Sequence, residues 1–183
     1  MIWIILGLAL WAAAHFMKRL MPGLHGRLGG VSKPVVALAS VGAIALMVVG
    51  YKAAAPTELW ALGNWAVYLN NLIMLVAVAL IGLGNSKSRL RGTLRHPMLT
   101  GAVVWAVAHL LVNGDLPSLV LFGGLALWAL VEMRVINAAE PKPAPFEGGT
   151  MAGDIRLVVI TLVVFGIIGM VHSYLGPSPF GGA

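Results

Sequence analysis

Six apolar runs, each long enough or nearly so to cross a hydrocarbon core as a helix, restrict this chain more than any motif does. They cover approximately Ile2 to Leu20, Pro34 to Tyr51, Leu59 to Leu83, Pro97 to Val112, Leu116 to Ile136 and Ile155 to Leu175. A crossing needs about 20 helical residues. Backbone polar groups in lipid must be satisfied inside the segment, so the expected fold is all-α, a polytopic membrane bundle of about six transmembrane helices. The span at Pro97 is the shortest. Composition agrees: of 183 residues 60% are hydrophobic and 10% charged, too few charges to cover a water-facing surface.

The basic residues orient the spans. Lys18, Arg19, Arg27 and Lys33 follow the first run; Lys87, Arg89, Arg91 and Arg95 follow the third; Arg134, Lys142 and Arg156 border the fifth connection. Only Lys52 lies at the opposite face. By the positive-inside rule both termini are expected on the non-cytoplasmic side. The formal charge of +6 is thereby explained without nucleic acid as a partner. Residues 1–17 carry no positive n-region, so the first span is expected to remain uncleaved. Residues 1–183 read as one integral membrane domain. A flexible cytoplasmic loop is expected at 137–154, where Pro141, Pro143, Pro145, Gly148 and Gly149 interrupt any regular pattern. No internal repeat suggests a secondary transporter.

The polar residues inside the spans carry the candidate chemistry. With no cysteine, metal ligation falls to His, Met or carboxylates. At a helical rise of 1.5 Å per residue, His109 lies roughly 6 Å inside the outer end of the fourth span, and His172 lies at a similar depth in the sixth. His15 lies roughly 8 Å from the inner end of the first span, nearer the level of His96. Either these rings satisfy carbonyls and hold helices together, or a facing pair ligates a buried haem iron among residues such as Trp105, Trp128 and Phe165. His25, in the Gly-rich connection from Pro22 to Gly30, is expected to be exposed. Asn64, Tyr68 and Asn71 are spaced by four and three, which puts them on one helix face. They either line a cavity or bond between helices.

The densest local signal runs from Arg91 to Gly101 and contains Arg95-His96-Pro97. Pro97 suits a first helical turn, and Arg91 and Arg95 beside a helix start suit an anion or a lipid phosphate. Positive-inside anchoring accounts for the same residues. Glu132 and Arg134, near the inner end of the fifth span, either serve that cluster or form an interfacial ion network. Arg95, His96 and Glu132 are the catalytic candidates.

Arg95-His96-Pro97, followed by Trp105-Ala106-Val107-Ala108-His109 and Asn113-Gly114-Asp115, resembles the NnrU family of bacterial membrane proteins over nearly the whole chain. That resemblance implies an inner-membrane protein associated with nitrite and nitric oxide metabolism. The family is related to the 15-cis-zeta-carotene isomerases, haem b enzymes, which implies haem b with His109 as ligand and His15 as the second. Helical depth instead levels His109 with His172, and both pairings stay open. Where the isomerases carry a cysteine three positions before the ligand, this chain has Ala106. The Arg-His-Pro segment also resembles membrane methyltransferases of isoprenylcysteine and phospholipids. Here Glu132-Met133-Arg134 lacks the adjacent acidic pair of those enzymes. The activities implied are a haem centre in nitrogen-oxide metabolism, cis/trans isomerisation of a polyene, or methyl transfer. A non-enzymatic role, assembly with a membrane reductase or with a second copy, needs no cofactor. Whether the chain is an enzyme stays open, and lipid is its expected surrounding.

Overall fold

The computed structural model describes residues 1–144, 146–176 and 178–180. Pro145 of the expected loop lies outside the described residues. Among these are seven α-helices: α1 (Ile2–Leu20), α2 (Pro22–Leu28), α3 (Ser32–Ala53), α4 (Trp65–Leu83), α5 (Pro97–Val112), α6 (Leu116–Ala139) and α7 (Met151–Leu175). Single 3-10 turns occur at Gly29–Val31 and Arg89–Gly92. Five helical stretches are long and apolar enough to cross a membrane, and α5 is a shorter apolar helix. The fold is therefore all-α and polytopic. Protein covers little of some spans: 11% of the most apolar window of α7 is buried. A helix apolar all round with so little cover needs lipid beside it.

The chain forms two compact units, Met1–Trp60 with Gly114–Pro141 and Ala61–Asn113 with Lys142–Ala183. In the first unit α1 packs on α3 and α6. Arg19 near the end of α1 donates to Glu132 at 2.9 Å and pairs with Glu140 at 3.0 Å. The Tyr51 hydroxyl meets Ser118 Oγ at 2.8 Å. Asp115 caps α6 by accepting from the Ser118 amide at 2.8 Å and the Ser118 hydroxyl at 2.9 Å, the ordinary N-cap role of a carboxylate. The Gly-rich connection from Pro22 to Gly30 contains α2, with that proline in its first turn. The chain leaves α2 at Gly29, whose φ of +50° suits glycine.

The third span starts at Trp65, not at Leu59. The amides of Leu59 and Trp60 donate to the Gly114 carbonyl at 2.7 and 3.0 Å, and Glu58 pairs with Asp115 in an isolated antiparallel bridge. The backbone at 58–60 is thereby held in a non-helical, bridged conformation. A side chain at position 114 would run into the Trp60 carbonyl, so this close approach requires glycine.

In the second unit α4 packs on α5 and α7. Pro97 occupies the first turn of α5. The irregular connection is shorter than 137–154, because α6 continues to Ala139 and α7 begins at Met151. Thr150 caps α7 by accepting from the Gly153 amide at 3.0 Å. Asp154, in the first turn, accepts from Ser88 Oγ at 2.7 Å, the Arg89 amide at 2.9 Å and Arg89 Nε at 2.6 Å. A carboxylate at a helix start also suits the helix dipole.

Candidate functional site

The second unit has a partly open cavity of about 190 Å³. α4 contributes Asn70, Met74 and Ala77; α5 contributes Trp105 and His109; α7 contributes Phe165, Gly169 and His172. Pro179 and Phe180, beyond α7, complete the lining. Phe180 lies so close to Gly169 that a Cβ there would collide with its ring, and it stacks edge-on to Phe165 at 5.9 Å. The space suits one small ring: about 150 Å³ of apolar cavity holds benzene.

His109 and His172 present their rings with centroids 6.3 Å apart and planes at 56°. His109 Nδ1 donates to the Trp105 carbonyl at 2.9 Å, and His172 Nδ1 donates to the Ile168 carbonyl at 3.3 Å. A carbonyl only accepts, so each bond puts the neutral ring's proton on Nδ1 and its lone pair on Nε2. Metal-bound imidazoles are held in this way. Two rings ligating one ion from opposite sides, each nitrogen about 2.0 Å from it, have centroids roughly 6 Å apart. The donor chemistry of the pair, two neutral imidazoles each with an Nε2 lone pair, is of the kind that could hold a haem iron. The cavity alone encloses only part of a tetrapyrrole, since pockets for larger ligands span roughly 300 to 1,000 Å³. His109 is half-buried and His172 more exposed. No group of three or more His, Asp or Glu converges as a metal site among the described residues.

Asn70 is a residue that sequence reasoning missed. It is 7% exposed, its Nδ2 donates to Asn71 Oδ1 at 3.2 Å, and Asn71 Nδ2 donates to the Pro179 carbonyl at 2.8 Å. The Oδ1 of Asn70 is buried with no hydrogen-bond donor among the described residues. The buried stripe Asn70, Met74 and Ala77 has helical spacing of four and three, a signal present in the sequence. Of the expected wall, Asn71 reaches the cavity. Asn64 precedes the helix as its N-cap residue, without a side-chain cap bond, and Tyr68 is 74% exposed. Neither lines this cavity.

The remaining candidates are dispersed. His15 belongs to the first unit, where its Nδ1 donates to the Trp11 carbonyl at 2.8 Å. Its ring lies 4.2 Å from that of Trp11 and 5.0 Å from that of Trp128. Glu132 is buried in the same unit and holds Arg19, a partner that sequence reasoning did not assign; Arg134 is exposed. In the second unit His96 is the N-cap residue of α5, and its carbonyl accepts from the Thr100 hydroxyl at 2.9 Å. Arg95 lines a separate cavity beside it. His25 is half-buried in α2 rather than exposed.

No curated protein and no solved structure matches the chain. The sequence profile described as NnrU protein matches residues 3–179, a span that takes in both units, the paired imidazoles and the Arg95-His96-Pro97 segment. The chain belongs to the NnrU family.

Proposed function

We propose that the second unit holds haem b through His109, with His172 as the second imidazole, and that the chain serves nitrite and nitric oxide metabolism from the bacterial inner membrane. The observation that carries this reading is the ring pair 6.3 Å apart. Bound haem supplies the redox and gas-ligand chemistry. The residues orient and shield: the Trp105 and Ile168 carbonyls fix the two rings, while Trp105 and Phe165 keep the cavity apolar. Phe180 limits the room, so Phe180→Ala is expected to raise haem uptake.

Haem content and oxidised and reduced absorption spectra of detergent-purified protein test the proposal. Stoichiometric haem is expected in the wild type, lost in His109→Ala and His172→Ala and kept in His15→Ala. Loss in His15→Ala with retention in His172→Ala transfers the second ligand to His15, the residue that the resemblance nominates. A folded wild type that takes up no haem even after supplementation overturns the proposal.

A second reading is cis/trans isomerisation of a polyene, favoured by the narrow apolar cavity beside the histidines. Absence of conversion of defined carotenoid isomers under reducing conditions rejects it. Orientation is tested separately, with a background set by the absence of native cysteine. Thr57→Cys is expected to react with an impermeant thiol reagent in intact cells, and Lys33→Cys only after the membrane is opened.

A further inference from the structure

A different cavity of the second unit, about 850 Å³, lies where α5 begins, with Gly84 and Pro97 in its wall. Four of its lining residues are charged. Arg91, Arg95 and Lys142 reach it, and Glu147 is its one acidic lining residue. Arg91 is held in place: its Nη1 donates to the Ser86 carbonyl at 3.1 Å, and its guanidinium lies 4.4 Å from the centre of the Phe146 ring. A guanidinium carries several N–H donors in a fixed fork, so that bond leaves donors to offer. Among the described residues Glu147 pairs with neither Arg91 nor Lys142, and Lys142 has no carboxylate in ion-pair reach. The His96 side chain does not cap α5, so the positive end of the helix adds to the same field. Positive-inside anchoring requires cations at this face, but it does not require three of them around one cavity.

We propose that this cavity binds a phosphate group, carried by the headgroup of an anionic lipid or by a soluble phosphate. The planar fork of arginine matches phosphate oxygens in pairs, while lysine supplies a point charge. The site is independent of the histidine pair, and its test leaves the haem question untouched.

The full chain is placed in nanodiscs of phosphatidylcholine alone or with phosphatidylglycerol, and amide hydrogen exchange is followed over residues 91–99. Phosphatidylglycerol is expected to slow exchange at least fivefold. That protection is expected to fall in Arg91→Gln and Lys142→Gln, to persist partly in Arg91→Lys, and to be unchanged in Arg27→Gln, whose basic residue lies in α2. Lys142 is exposed in a connection, so its variant folds even if an Arg91 variant does not. Protection of the same residues by millimolar inorganic phosphate in phosphatidylcholine discs identifies a soluble source, and protection by phosphatidylglycerol alone identifies the lipid. Failure of both anions to protect overturns the proposal. So does equal loss of protection in Arg27→Gln, which marks a general attraction of the basic face.

Discussion

The two units are built from helices of similar apolarity, yet their polar side chains gather differently, around ion pairs and hydroxyls in the first and around a cavity in the second. In the first, polar groups pair with each other: Arg19 with Glu132 and Glu140, Tyr51 with Ser118, Asp115 with Ser118. In the second, His109, His172, Asn70 and Asn71 converge on a space, and the buried Oδ1 of Asn70 meets no donor among the described residues. A buried polar atom without a partner costs about 1 to 3 kcal/mol. The contrast is one of emphasis, since Trp11 Nε1 and Trp128 Nε1 of the first unit are also buried without an acceptor among the described residues, and Arg89 pairs with Asp154 in the second.

The comparison breaks most readily at Glu132. Its side chain is 6% exposed and that of Arg19 19% exposed, so Glu132→Ala removes one of the two carboxylates on a largely buried guanidinium and, with Glu140 still paired, is expected to destabilise the protein by about 3 kcal/mol, the low end for breaking a buried pair. The double variant Arg19→Met, Glu132→Leu is expected to recover most of that loss in reversible unfolding in detergent. No recovery would mean that the pair does more than satisfy its own charges.

Gly114→Ala is expected to match that loss, at about 3 kcal/mol, the upper part of the usual range for overpacking. The obstacle is the Trp60 carbonyl, part of a backbone already tied by two hydrogen bonds to Gly114. The same unfolding measurement checks it, and a change below about 0.5 kcal/mol, the ordinary scatter of surface substitutions, would show that the 57–60 segment yields freely.

The smallest effect is expected in the second unit. Asn70→Leu removes an acceptor that has no donor and is expected to change stability by less than about 1 kcal/mol, either way, because the bond it loses to Asn71 is worth about 0.6 kcal/mol in a membrane interior. A loss as large as that of Glu132→Ala would erase the distinction between the units.

The spans were legible because lipid demands continuous apolar helix, and hydropathy reports that demand directly. The start of α4 was not, since an apolar run does not say whether its amides bond along a helix or to the carbonyl of a distant Gly114. The common level of His109 and His172 followed from helical rise alone. Which amide of α4 faces inward did not: Asn64, Tyr68 and Asn71 obey the same spacing as Asn70, Met74 and Ala77, and only packing chooses between the faces. Glu132 was visible as a charge in an apolar run, but its partner Arg19, at 2.9 Å in space, is distant in sequence.

The tie between Trp60 and Gly114 also bears on how the chain is assembled. The amide of one lies 3.0 Å from the carbonyl of the other, so the whole stretch from 61 to 113 departs and returns at adjacent points of the first unit. The α4–α5 pair is thus a closed excursion of the chain, whereas its partner α7 arrives separately after α6, so the second unit is completed only when the last of its two stretches has been made.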